Sequence, residues 1–264
     1  MGRTPAAPGD PVHRKQVPGA DPTSVTFEAA GLRWLAKAGG VRVVPLLDQG
    51  PDFLVLERVE HRRPSPAEAE RFGRDLVRTH AAGAPAFGAL PPGAGTGWIA
   101  ALPLPPTPSG TSWGRFYARC RIAPFVRAGR DAGAFTSADV EVLDRVCARL
   151  EDEEEALVTG VDAPARLHGD LWSGNVLFGP EGAVLIDPSA HGGHPETDLA
   201  MLALFGAPHL DRVLAAYEEA AGTPPGRAAR TPLHQLYPLL VHTVLFGGTY
   251  AAQTVRAARD CGAL

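Results

Sequence analysis

RLHGDLWSGNVLFGPEGAVLIDPSAHGGHPETDLAM, residues 166–201, is the stretch on which the reading of this chain turns. His168-Gly169-Asp170 is followed by Asn175, five positions beyond the aspartate, and by Asp187 at the end of the apolar run Ala183-Val184-Leu185-Ile186. Val176-Leu177-Phe178 and the later apolar run have the composition of two short strands, and Gly179-Pro180-Glu181-Gly182 between them is a turn signal. Such a hairpin returns Asp187 to the side of Asn175.

A carboxylate that orients or deprotonates a hydroxyl, with oxygen ligands for Mg²⁺ close by, is what phosphoryl transfer from Mg-ATP requires. The H-x-D-x-x-x-x-N loop with a second aspartate after a hairpin resembles that of kinase-like folds. More narrowly, HGDLWSGN (168–175), Asp187-Pro188, Gly193-His194 and Glu196-x-Asp198-Leu199-Ala200-Met201-x-x-Leu204-Phe205-Gly206 resemble the fructosamine (ketosamine) 3-kinases, small-molecule kinases of the aminoglycoside-phosphotransferase type. Trp172, at the fifth motif position, distinguishes the pattern from the aminoglycoside and choline kinases.

The resemblance implies an α+β, two-lobed protein-kinase-like fold. It has a shortened small β-lobe over residues 1–60 and a mainly helical lobe over 61–264. It implies ATP and Mg²⁺ as cofactors and a small-molecule or protein-bound ketosamine as acceptor. The 3-hydroxyl of the ketosamine is phosphorylated, and in the family the unstable 3-phosphate then loses its sugar, a protein repair. Asp170 is the expected catalytic group, Asn175 and Asp187 the metal ligands, and Trp172 an apolar face for the sugar, with core packing as its alternative. His168 is expected to brace the loop, and His191, His194 and Glu196 to border the acceptor pocket or, as a less favoured alternative, to form a zinc site.

Val12–Val17 reads as a strand, with Lys15 at the V-x-x-K spacing of a phosphate-binding lysine. Lys15 and Lys37 are the only lysines in a chain whose other basic residues are arginines. From Ser24 to Ala38 apolar residues recur at helical spacing, and Glu28 near the start of that helix is the candidate anchor for the Lys15 ammonium. Residues 41–44 and 53–59 read as further strands, the second ending where backbone groups of Glu57 and Val59 pair with adenine.

Ser65-Pro66-Ala67-Glu68 is a capping box opening a helix that carries His80, expected to be half-buried and satisfied. Residues 84–112 are Pro/Gly-rich and read as an extended loop. Trp113-Gly114-Arg115-Phe116-Tyr117, with Arg121, resembles the family's W-x-x-F-x-x-x-R helix, its aromatic pair belonging to the core. Long helices are expected over 136–157, 210–221 and 231–259, the last capped by Thr231.

At 264 residues, 45% apolar and 20% charged, the composition is that of a globular protein. A net charge of -4 without a basic cluster argues against nucleic acid as a partner, and no apolar run is long enough to cross a bilayer. Three scattered cysteines and no secretory signal make a reducing cytoplasm the simplest home. A kinase small lobe ordinarily opens with two strands and a glycine-rich loop, yet only fourteen residues precede Lys15, Gly2 and Gly9 do not build that loop, and His13 and Arg14 are polar for an adenine roof. The expectation is a misassigned start or a shortened protein. The alternatives to a ketosamine kinase are therefore a kinase of another small hydroxyl or amino compound, such as an aminoglycoside, and a pseudokinase.

Overall fold

The structure, a computed structural model, describes residues 11–161, 163–222 and 226–262. The N-terminal stretch expected to pack loosely lies, up to residue 10, outside the described residues. The first elements are β1 (Val12–Gln16), α1 (Pro22–Ala36), β2 (Arg42–Val43), β3 (Leu46–Gln49) and β4 (Phe53–Glu57). β4 is the middle strand of an antiparallel sheet ordered β1-β4-β3, with Lys15 opposite Leu54. α1 begins two residues before the expected start because Asp21 caps it, accepting from the Thr23 amide at 2.8 Å. Its buried Val25, Ala29, Leu32 and Leu35 recur at helical spacing.

α2 (Pro66–Ala81) follows, opened by the Ser65–Glu68 capping box. The Pro/Gly-rich stretch after it holds a hairpin of β5 (Gly97–Ile99) and β6 (Leu102–Leu104). α3 (Trp113–Phe116) runs through a π-helical turn, Tyr117–Ile122, into α4 (Ala123–Asp131). Arg121 falls one position past the W-x-x-F-x-x-x-R spacing, and the i→i+5 bonding of a π turn takes in that extra residue. Trp113 and Phe116 are core residues, as their spacing suggests.

The expected helix over 136–157 is α5 (Ser137–Glu151), then a turn with Glu153 at φ +55°, and a short α6 (Glu155–Val158). β7 (Ala165–Leu167) enters the central stretch, β8 (Val176–Gly179) and β9 (Gly182–Leu185) form the expected hairpin, and β10 (His191–Gly193) returns antiparallel to β7. α7 (Pro195–Phe205), α8 (Leu210–Ala221), α9 (Arg227–Phe246) and α10 (Thr249–Cys261) complete the helical lobe. The single closing helix expected over 231–259 is two helices, broken at Gly247 and Gly248 with φ of +62° and +64°. Its start is also earlier than Thr231, so Pro232 lies inside α9 rather than at a capped start.

Pro238, also inside α9, has no amide hydrogen to give the His234 carbonyl, and the buried Tyr117 hydroxyl donates to that carbonyl at 3.2 Å instead. One apolar core fills the helical lobe around Trp113, Leu143, Leu150, Leu236 and Leu240. A second joins the lobes, with Leu32, Leu35, Leu54 and Leu56 against Leu76, Phe178, Leu185 and Leu199. β2 adds to it by pairing in parallel with β9, so the strand after α1 is hydrogen-bonded to the hairpin that leads to Asp187. Among the described residues no helix is long and apolar enough to cross a membrane.

Candidate active site

The central hairpin places Asp187 by a short ladder. The Ile186 amide donates to the Asn175 carbonyl at 3.1 Å, and Asp187 follows with φ +53°, a left-handed conformation that costs a non-glycine residue on the order of 1 kcal/mol. That turn aims its carboxylate at Lys15, whose Nζ lies 3.1 Å from Asp187 Oδ1 and 2.8 Å from both Glu28 oxygens. Burial works against the lysine charge, but Glu28 and Asp187 together outweigh it and hold the ammonium pKa above its usual value.

Asn175 joins the two aspartates. Its Nδ2 donates to Asp170 Oδ2 at 3.0 Å and to the Asp170 carbonyl at 2.9 Å, and lies 3.5 Å from the Asp187 carbonyl. Burial pushes the Asp170 carboxyl up to about 7; the Asn175 hydrogen bond opposes the shift, and the charges of Asp187 and Asp198 add to it. The amide group of Asn175 is spent on Asp170, so its side-chain oxygen is the atom it can offer a metal. With the Asp187 carboxylate, this is an oxygen donor set of the kind Mg²⁺ takes, free of imidazole and thiolate, and it fits the ion.

The loop carrying Asp170 is fixed from beneath by a residue to which the sequence assigned no role. Asp198, 1% exposed at the start of α7, accepts from the amides of His168 and Gly169 at 2.8 and 2.9 Å. His80 of α2 donates through Nε2 to Asp198 at 3.2 Å and accepts from the Tyr217 hydroxyl of α8 through Nδ1 at 2.8 Å. Burial alone would raise the Asp198 pKa, but the His80 contact and the loop amides keep it below the usual carboxylate range. His80 is thus fully buried rather than half-buried.

His168 braces the loop as its position suggested, donating through Nε2 to the Ile186 carbonyl at 2.9 Å and accepting the Asp170 amide at 3.3 Å. Only glycine fits between them: Gly169 has φ +79°, and a Cβ there would lie 2.1 Å from the Ser189 carbonyl.

Between the lobes runs a cleft of about 1290 Å³, lined by Lys15, Glu57, Val59, Trp172, Asn175 and Asp187. Trp172 is 41% exposed there, its ring edge-on to Phe205. The Glu57 amide already donates to the Pro45 carbonyl at 3.0 Å and its carboxylate pairs with Arg42, so of the backbone groups of Glu57 and Val59 expected to meet adenine this amide is already engaged. Val59 lies beyond the end of β4, which stops at Glu57. His13 faces the cleft, while Arg14 turns away to lie 3.6 Å over the Phe53 ring.

His191, His194 and Glu196 do not border this cleft: they are 2%, 0% and 3% exposed. Glu196 is bound by the Arg230 guanidinium at 3.1 and 2.5 Å. His194, Glu196 and His234 bring potential ligand atoms within 4.8 Å of one another, but Arg230 occupies the carboxylate.

The fold is that of the kinase-like phosphotransferases. A choline kinase from Streptococcus pneumoniae, 17% identical, superposes over 96% of this chain and 86% of its own with a TM-score of 0.59, a likeness of fold. The sequence profile of the fructosamine kinase family covers residues 19–262, and the chain belongs to that family. The "Probable ketoamine kinase" of Thermus thermophilus is 35% identical over 87% of this chain and 79% of its own length. A crystal structure from Thermobifida fusca, of a protein provisionally named a fructosamine-3-kinase, is 45% identical, with a TM-score of 0.88 over 96% of this chain and 86% of that one.

Proposed function

We propose that the chain transfers the γ-phosphoryl group of ATP to the 3-hydroxyl of a ketosamine, the Amadori product of a sugar and an amine. The observation that carries the reading is the chain of contacts that runs from Asp170 through Asn175 to Asp187 and on to Lys15 and Glu28, of which Asn175, Asp187 and Lys15 line the cleft. Family membership supports a ketosamine as the acceptor class.

Adenine lies against the Glu57 carbonyl and Val59 at the inner wall, and Lys15, held by Glu28, meets the phosphates. Asp170 accepts the hydrogen bond of the acceptor hydroxyl and takes its proton as the oxygen–phosphorus bond forms and the bond to ADP breaks. A carboxylate whose pKa lies near 7 suits that task at neutral pH. Asn175 and Asp187 would hold Mg²⁺, which supplies neutralisation of the charge on the phosphoryl oxygens. Trp172 offers its exposed face to the sugar. Loss of the sugar from the 3-phosphate would make the activity a deglycation.

The test is ADP release and phosphorylation of a fructosamine or ribulosamine by the purified chain with Mg-ATP, beside Asp170→Asn. Turnover on a ketosamine that falls by about 10²–10⁴-fold in the variant, with nucleotide affinity kept, is the expected result. Equal turnover by the variant removes Asp170 from its role, and turnover confined to another acceptor class removes the ketosamine.

A further inference from the structure

A line of aromatic rings leaves the cleft at Trp172 and reaches open solvent. Trp172 stands edge-on to Phe205 at 6.4 Å between centroids, and Phe205 lies 4.8 Å from His242. The His242 ring in turn lies 5.5 Å from Phe246 and 5.0 Å from Tyr250, which are 6.3 Å from each other. The break between α9 and α10 builds the outer end, because Gly247 and Gly248 take backbone conformations open only to glycine and bring Phe246 and Tyr250 to one side of the corner.

The strip is unusual in its exposure. The large apolar side chains exposed among the described residues are Leu47, Trp172 and Phe246, so two of the three fall on it. Isolated exposed apolar residues are ordinary, whereas a contiguous set attached to a catalytic loop marks a contact surface. The strip is also uncharged. His242 donates through Nδ1 to the Pro238 carbonyl at 2.7 Å, and burial holds its pKa below the usual histidine value, so at neutral pH the ring is a neutral aromatic face.

We propose that this strip is the subsite for the amine substituent of the acceptor, a deepening of the ketosamine reading on which it rests. With the 3-hydroxyl at Asp170, the ketosamine nitrogen is three bonds from the carbon that bears this hydroxyl and leaves the catalytic loop beside Trp172, where the strip begins. That nitrogen is a secondary amine, protonated at neutral pH, and a cation with an apolar substituent is what neutral aromatic faces attract. The strip therefore selects ketosamines with extended alkyl or aryl amines, including a side chain presented by a peptide, over those of small amines.

The experiment compares two acceptors with the same sugar, the fructose adducts of methylamine and of 6-phenylhexylamine, whose chain is long enough to carry its ring along the strip to Phe246, in the native chain, in Phe246→Ala and in Leu47→Ala. Phe246 is 67% exposed, so its truncation leaves the core intact, and Leu47 is an exposed control in β3. The native chain is expected to show a KM about tenfold lower for the 6-phenylhexylamine adduct. Phe246→Ala brings the ratio of the two KM values near one, and Leu47→Ala leaves it unchanged. Equal KM values in the native chain, or an unaltered ratio in Phe246→Ala, overturn the subsite while ketosamine phosphorylation stands. A dimer that Phe246→Ala dissociates with the ratio unmoved assigns the strip to a second copy of the chain and likewise overturns it. Absence of turnover on both adducts overturns the subsite and the ketosamine reading together.

Discussion

Two clusters of charged and polar side chains in this protein look alike in composition and differ in what they leave unused. At the cleft, Lys15 is held by Glu28 and Asp187, and Asn175 links Asp187 to Asp170. Beneath α7 and α9, Arg230 is held by Glu196, with His194 and His234 alongside. The second set brings three potential ligand atoms, from His194, Glu196 and His234, within 4.8 Å of one another. Its valences are nevertheless taken. His194 accepts the Glu196 amide through Nδ1 at 3.1 Å and donates through Nε2 to the Thr159 carbonyl at 3.3 Å, and Arg230 covers both Glu196 oxygens. His234 Nε2, 3.5 Å from Glu196, is left without a hydrogen bond, yet it is fully enclosed. In the first cluster the Asp187 side chain is 32% exposed and opens on the cleft. Ligand atoms that open on a cavity, rather than closeness of ligand atoms, separate a site from a brace.

Substitutions in the two clusters should therefore fail differently. Asp187→Ala is expected to weaken Mg-dependent ATP binding by about 10²-fold or more, since even groups that only support a metal's ligands are worth 10–100-fold. The thermal transition should stay close to the native one. An unchanged magnesium titration would remove Asp187 from the metal site. Glu196→Ala leaves the Arg230 guanidinium enclosed without its carboxylate and is expected to cost about 3–5 kcal/mol of stability in denaturant unfolding. The protein that remains folded should keep its native KM for ATP, and a selective loss of ATP affinity would mean that the brace is part of the site.

The brace also sets a pH dependence. Burial is the main cause that holds the ring pKa values of His191 and His194 at about 3. In the unfolded chain both titrate near the ordinary 6.5, so between the two limits the unfolded state binds more protons than the native one. Stability is then fully present above about pH 6.5 and falls as the pH drops toward 3, each histidine contributing a slope of about 1.4 kcal/mol per pH unit. Unfolding free energies between pH 7 and pH 5 measure this directly. The raised Asp170 carboxyl takes up its proton in the folded state over the same range and opposes one of these slopes. The profile is therefore read in Asp170→Asn, where a flat line would show that these histidines are not enclosed as neutral rings.

How much of this was legible in the sequence follows from how local each signal is. The Ser65 capping box, the turn at 179–182 and the H-G-D spacing are written within a few residues, and each stands where it was read. The ladder of β7 with β10 is three residues long on each side and glycine-rich, which gives no alternation to detect. The break at Gly247 and Gly248 was hidden because the apolar spacing continues across it. Asp198 in the first turn of α7 reads locally as a partner for the helix dipole. Only the packing of α2 and α8 against α7 reveals that it fastens the catalytic loop. Its signal was the acid itself, followed by a run as apolar as Leu199–Phe205.

The smallest expected effects sharpen the contrast most, because they compare one residue type in both regions. Trp172 stands at the cleft with part of its face in solvent. Trp113 is 3% exposed over the brace, stacked on Tyr117 at 5.1 Å and edge-on to His194 at 4.9 Å. The Trp113 indole N–H has no hydrogen-bond partner, so Trp113→Phe removes ring volume without stranding a donor or acceptor. The cost is that of a partly filled cavity, about 1–2 kcal/mol in denaturant unfolding, with the acceptor KM unchanged. Trp172→Phe removes no enclosed contact of that kind and leaves a smaller face for the sugar. Its expected effect is a rise of about 3–10-fold in acceptor KM, corresponding to the 0.5–1.5 kcal/mol of an aromatic contact, with stability unmoved. If Trp172→Phe instead lowers stability and spares KM, that ring is core packing, and the sugar must be held by other groups of the cleft.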